Sequence, residues 1–143
     1  MVGWDDVRRR LECRLRELPE GGFVVLGEAP RVLGRRAWWR RQAPTAPTRY
    51  VQARRDGAHV YVECVGARSF GGGWEIDDTA HTRLRRLGWL VPGEMDATGV
   101  QPSWPSYWRV LPVSESAAAA RMCVAALDVL GASPDAVDLQ AGP

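Results

Sequence analysis

The residues best equipped for chemistry in this chain are the run Arg35-Arg36-Ala37-Trp38-Trp39-Arg40-Arg41. Guanidinium groups stay charged at any ordinary pH and fork onto carboxylates or phosphates. Indole rings stack on bases or fill pockets on a protein partner. Three readings of the run compete. It could grip a nucleic-acid backbone and stack on bases. It could anchor an acidic protein. Or its tryptophans could fold back on the domain while the arginines stay in water. The formal net charge of +2 weighs against nucleic acid, because such domains are usually far more basic.

Catalytic constellations are sparse. The two histidines, His59 and His81, have no second ligand at metal spacing such as H-x-x-x-H, and read as surface or hydrogen-bonded side chains. Gly71-Gly72-Gly73 lacks the Gly-Lys-Ser/Thr ending of a phosphate loop, and the chain has no lysine to reach a phosphate. The acid pairs Asp5-Asp6 and Asp77-Asp78 stand where helices should begin, so capping and the helix dipole account for them. Cys13, Cys64 and Cys123 are far apart with no C-x-x-C spacing, and read as reduced thiols in apolar surroundings. No metal, cofactor or catalytic residue is expected.

These residues must be positioned by elements that the apolar pattern outlines. Trp4, Val7, Leu11, Leu15 and Leu18 recur at helical spacing, and Pro19 with Gly21-Gly22 ends the helix. Phe23–Leu26 reads as a first strand. Residues 27–48 form a long, basic connection rich in Trp and Arg. Arg49–Arg55 and Ala58–Val65 flank Asp56-Gly57, a strong hairpin signal. With Asp56-Gly57 as the turn, Val51 opposes Val62 and Ala53 opposes Val60 on an apolar face. Tyr50, Gln52, Arg54, His59, Tyr61 and Glu63 then share a polar-aromatic face, either solvated or an interface. A second helix follows to about Leu87, capped by Asp77 or Asp78 and ended by Gly88. Tyr107–Leu111 reads as a further strand, with Trp104 and Trp108 placed to pack the second helix against the last. Ser114 opens a third helix through Leu130, with Met122, Ala125 and Val129 as its apolar stripe and Val124 and Leu127 widening it. A short helical turn and a frayed end complete the chain.

Its 143 residues suit one domain, taken as 2–139 with 140–143 as the frayed tail. The 45% apolar and 25% charged content is ordinary for a globular protein. No apolar run approaches the ~20 residues of a membrane span, and residues 1–20 lack the apolar core of an export signal, so a cytoplasmic location is expected. Residues 29–55 carry eight Arg and no acid, whereas residues 112–143 carry Glu115, Asp128, Asp135 and Asp138 against one Arg. Basic and acidic surfaces are therefore expected in different places. Segregated strands and helices point to α+β, an antiparallel sheet of three to five strands with helices on one face.

The order Trp4, Leu11/Leu15/Leu18-Pro19, Gly22-Phe23-Val24-Val25-Leu26, Arg49-Tyr50-Val51-Gln52 and Leu84-Arg85-Arg86-Leu87-Gly88-Trp89 resembles the TY-Chap domains of actinobacteria, which group with YbjN-like and type III secretion chaperone-like folds. The resemblance runs from about Trp4 to Leu139. It implies the layout α-β-β-β-α-β-α and a peptide- or protein-binding chaperone role with no cofactor and no catalytic residues. It also implies that two copies could pair, as secretion chaperones of this fold commonly do. The chain departs from the pattern in its longer, more basic 27–48 segment and in Ala53, where an aromatic often follows Tyr-Val-Gln. The expected function is a non-catalytic chaperone or adaptor that holds a protein or peptide, with an acidic partner the one the arginines would suit. The expected partner-binding residues are Arg35, Arg36, Trp38, Trp39, Arg40, Arg41, Tyr50, Gln52, Arg54 and Tyr61. Nucleic-acid binding through residues 31–41 is the alternative.

Overall fold

Helix α1 spans Trp4–Glu17, with Val7, Leu11 and Leu15 buried along one face. The Gly3 N–H donates to the Asp6 carboxylate at 3.2 Å, so an acid of the first turn satisfies an orphan donor while complementing the dipole. Pro19 ends the helix through the residue before it: Leu18 is held at ψ 127°, outside the helical region. The computed structural model describes residues 2–28, 31–32, 45–46, 49–64, 76–102 and 106–142.

After the glycine turn, β1 (Phe23–Glu28) leads through the short strands β2 (Arg31–Val32) and β3 (Thr45–Ala46) to the hairpin β4 (Tyr50–Asp56) and β5 (His59–Cys64). β2 and β3 pair only with each other, within the stretch expected to be one irregular connection. Helix α2 (Asp78–Arg86), β6 (Tyr107–Pro112), helix α3 (Ser116–Val129) and β7 (Val137–Gly142) follow. The main sheet is five-stranded in the order β6-β5-β4-β1-β7, antiparallel at every pairing. The chain is therefore α+β, in the expected element order, with the short pair β2–β3 added inside the connection and β7 added at the end. Residues 140–142, expected to fray, are paired with Phe23, Val24 and Val25 of β1.

The hairpin forms where Asp-Gly signalled it, but its register differs. Ala53 opposes Val62 rather than Val60, because Gly57 and Ala58 occupy the turn and Asp56 pairs with His59. Gly57 has φ +62°, and among the described residues no non-glycine residue has positive φ. That combination suits a type II′ turn, with glycine first, rather than the type I′ turn that Asp-Gly suggests. A two-residue shift leaves every side chain on its expected face, because strand periodicity is two. At the far end of β4, Gly27 brings β1 close. A Cβ there would lie 2.6 Å from the Tyr50 Cβ and 2.8 Å from the Arg49 carbonyl.

The core fills the space between one sheet face and the helices. Val24, Leu26, Val51, Ala53, Val60, Val62 and Cys64 are buried from the sheet side. Helix α3 meets them with Ala119, Ala120, Cys123, Ala126 and Leu127, all buried. The apolar stripe expected on this helix was different: Met122, Ala125 and Val129 are only half-buried. Small side chains let the α3 backbone approach the sheet, so the Ala/Cys face won over the bulkier one. The helix starts at Ser116, after a 3₁₀ turn over Val113–Glu115 that contains Ser114. Helix α2 is capped by Asp77, whose carboxylate accepts from the Ala80 N–H at 2.8 Å, and it buries Leu84.

Trp89 is buried just after α2, while Trp4 is half-buried. Trp108 is buried too, but in another place. It pairs with Glu63 in the β5–β6 ladder, on the outer sheet face, and not between two helices. Among the described residues no helix is long and apolar enough to cross a membrane.

Candidate partner-binding site

Alternation along β4 and β5 places Val51, Ala53, Val60 and Val62 inward and Tyr50, Gln52, Arg54, Tyr61 and Glu63 outward. Pairing of β1 with β4 sets Phe23 opposite Arg54, which adds an exposed aromatic ring to the same outward face. β6 adds Trp108, whose ring stacks on Tyr61 with centroids 6.2 Å apart and planes 18° apart. The outward face is thus aromatic along both sides and polar in the middle.

A cavity of about 650 Å³ opens on this face. Tyr50, Gln52, Arg54 and Tyr61 line it, together with Phe23, Glu63 and Ser106. Glu63 is the buried carboxylate at its centre and accepts a hydrogen bond from the Gln52 amide. Burial pushes its carboxyl above the ordinary carboxylate range, while the Gln52 and Tyr61 hydrogen bonds and the Arg54 cation pull the other way. The Tyr50 phenol is also pushed up, by burial first and then by Glu63, and stays a neutral donor at neutral pH. Donors, an acceptor carboxylate, a guanidinium and flat rings in one concavity can hold an extended peptide by hydrogen bonding and stacking.

Four of the residues expected from sequence, Tyr50, Gln52, Arg54 and Tyr61, are brought together in this cavity. The other six, Arg35, Arg36, Trp38, Trp39, Arg40 and Arg41, lie outside the described residues. So does most of the 31–41 segment on which the nucleic-acid alternative rested. Phe23 and Ser106 join the site without having been expected there. Strand alternation could have flagged Phe23, but only the β1–β4 register shows that it lies beside Arg54. Glu63 was visible as a face residue, but its burial at the centre was not.

Among the described residues, both histidines and the buried thiols lie outside the lining of this cavity. His59 is exposed at the start of β5. The His81 Nδ1 lies 2.8 Å from the Tyr107 hydroxyl, on the helix side of the sheet. Burial pushes the Cys64 thiol up, and the Cys123 thiol to about 12, so both are protonated and poor nucleophiles at neutral pH. Among the described residues no group of three or more His, Cys, Asp or Glu side chains could hold a metal ion.

Comparison with known proteins adds one match. The sequence model of a family described as T3SS (YopN, CesT) and YbjN peptide-binding chaperone 3, TY-Chap3, matches residues 2–142. No curated protein and no solved structure matches the chain.

Proposed function

The chain belongs to the TY-Chap3 family of peptide-binding chaperones, and from that premise we propose that it holds an extended segment of a protein partner against the outer face of the β4–β5 hairpin, without catalysis. The observation that carries this reading is the cavity lined by Tyr50, Gln52, Arg54 and Tyr61 with Glu63 at its centre. A guest lying across it would exchange water for the Tyr50 and Tyr61 rings, the latter backed by the buried Trp108, and for the Gln52 and Arg54 donors. Trp38 and Trp39, with Arg35, Arg36, Arg40 and Arg41, enter the reading as a further anchor for the same partner. The domain acts in the cytoplasm, alone or as a pair of copies, as its resemblance to secretion chaperones suggests.

Site-directed photo-crosslinking in nuclease-treated cell extract tests this. Benzoylphenylalanine is placed at position 52 or 54, and at position 10 on the exposed flank of α1 as a control. One protein captured from positions 52 and 54 and absent from position 10 is the expected result. Equal capture from all three positions, or capture of nothing but nucleic acid in untreated extract, overturns the assignment of the face. The double variant Trp38→Ala, Trp39→Ala is expected to lower the yield at position 52. An unchanged yield removes that segment from the reading.

A further inference from the structure

A second concavity lies among the helices, on the other side of the sheet from the Glu63 cavity. This groove, of about 820 Å³, opens between the first turns of α1, the C-terminal end of α2 and the outer flank of α3. Its floor is apolar: Leu87, Leu111, Ala118, Met122, Val124 and Ala125 line it. Helix α3 has polar side chains only at Ser116, Arg121 and Asp128, so it is apolar nearly all round. A helix of that kind is normally buried on all sides. Here one face is sealed against the sheet, while Ala118, Met122 and Ala125 stay half-buried in the groove. This is the flank whose spacing looked like a core stripe in the sequence.

The rim is charged, and unevenly so. Arg8, Arg86, Arg109 and Arg121 line it against Asp5 and Asp128. Arg86 and Arg121 are exposed and have no ion-pair or hydrogen-bond partner among the described residues. Arg109 is pinned to the wall by a 2.7 Å hydrogen bond from Nη1 to the Gly88 carbonyl, which orients the guanidinium before any guest arrives. Arg8 is turned toward Glu12, at 3.6 Å. An apolar floor under four guanidinium groups suits apolar side chains on one face of a guest and carboxylates on its flanks. A nucleic-acid backbone fits worse, because Asp5 and Asp128 would repel a continuous line of phosphates and the floor offers it nothing. Met122 gives the floor an adaptable side chain, as is common on surfaces that accept more than one guest.

We propose that this groove docks an acidic amphipathic helix of a protein partner, with the apolar face on Met122, Leu111 and Leu87 and the carboxylates on Arg86, Arg109 and Arg121. The proposal rests on the peptide-binding reading for the class of partner, and on a different surface for the place. The chaperone would then hold two parts of one client, an extended segment on the sheet face and a helix among its own helices.

Fluorescence anisotropy with the full chain tests the groove directly. The probe is a labelled synthetic helix with Leu at i, i+3, i+4 and i+7 and Glu at the other positions, and its twin carries Lys in place of Glu. The acidic probe is expected to bind at least about tenfold more tightly than the twin. Arg86→Glu with Arg121→Glu should reverse that order, and Met122→Glu should weaken the acidic probe while thermal unfolding of both variants stays close to that of the unchanged protein. Tyr61→Ala should leave the acidic probe unaffected. Equal binding of the two probes, or no binding of either, overturns the proposal. So does loss through Tyr61→Ala in place of the charge reversal, which would put the probe on the sheet face. Displacement of the probe by a single-stranded oligonucleotide, with the same sensitivity to charge reversal, would make the groove a polyanion site and overturn it as well. Crosslinking at position 52 reads the sheet face alone, so failure there and failure here are separable.

Discussion

Leu26 and Phe23 stand three residues apart on β1 and face opposite ways. Leu26 is 3% exposed under the helices, whereas Phe23 is 42% exposed on the outward face beside Arg54. The same contrast runs through the hairpin, where Val51, Ala53, Val60 and Val62 are sealed and Gln52 and Arg54 are open. One face of the sheet is held by packing, and its side chains are dictated by volume. The other is under that demand only where Trp108 and Glu63 are buried, and its remaining side chains can be chosen for a guest. The difference predicts an unequal response to truncation. Leu26→Ala should lower stability by about 2–5 kcal/mol, since it leaves a cavity in the core. Phe23→Ala should cost under about 1 kcal/mol, as surface changes usually do. Urea unfolding of both variants measures the gap, and equal losses would mean that the outward face is core after all.

The outward face is not open throughout, and its tightest point should respond strongly. Gly27 lies on that face opposite Tyr50, where an added Cβ would come within 2.6 Å of the Tyr50 Cβ. Backbone and Cβ atoms cannot swing aside as a long side chain can, so β1 and β4 must part. Gly27→Ala is therefore expected to cost about 1–3 kcal/mol in urea unfolding, within the range for overpacked sites. A neutral result would show that the β1–β4 pair yields at the mouth of the cavity.

How far the sequence carries depends on whether a feature is local. The α1 stripe, the Asp-Gly hairpin and the Asp77 cap are decided within a few residues, and all three are present. Hairpin register is nearly local. It came out displaced because Gly57 can serve either as the second residue of one favoured turn type or the first of another, and the dipeptide alone does not choose. The outward set survived that error because two steps along a strand return to the same face. Strand β7 was not legible, since Val137–Gly142 is rich in residues that seldom favour strands and pairs with β1 more than a hundred positions earlier. The buried flank of α3 was ambiguous for another reason: when nearly every position is apolar, periodicity cannot tell the covered side from the open one. For the candidate site, Tyr50, Gln52, Arg54 and Tyr61 share a hairpin and were legible together. Phe23 and Ser106 join them only through pairings remote in sequence.

A change that touches neither face provides a scale for both. Asp77→Ala removes the carboxylate that accepts from the Ala80 N–H, and should cost about 1 kcal/mol as N-cap losses typically do. Chemical unfolding read by circular dichroism checks it. The loss should be larger than that of Phe23→Ala only if the outward face carries little of the packing. A smaller loss than that of Phe23→Ala would narrow the contrast between the two faces.

The smallest expected effect is a slope and not a drop, and it concerns Glu63, the buried carboxyl of the outward face among the described residues. Burial raises Glu63 above the ordinary carboxylate range despite the opposing help of Gln52, Arg54 and Tyr61. In the folded protein the proton is therefore held more tightly than in the unfolded chain. As pH rises from the ordinary carboxylate value through the raised one, the folded state keeps protons that the unfolded state has released, so stability falls across that window. Below it both states are protonated, and the full contribution is present. Glu63→Gln keeps the shape, removes the titration and should flatten this part of the stability-against-pH curve, measured by thermal unfolding from acid to neutral pH. A curve that instead steepens, or a variant that gains nothing relative to the unchanged protein at neutral pH, would mean that the Gln52, Tyr61 and Arg54 contacts outweigh burial. The cavity would then hold a settled carboxylate, its hydrogen bonds already satisfied from within. A carboxylate kept at a cost is the more useful one to a peptide binder, because a guest that brings a donor to Glu63 relieves a penalty the empty chaperone already bears.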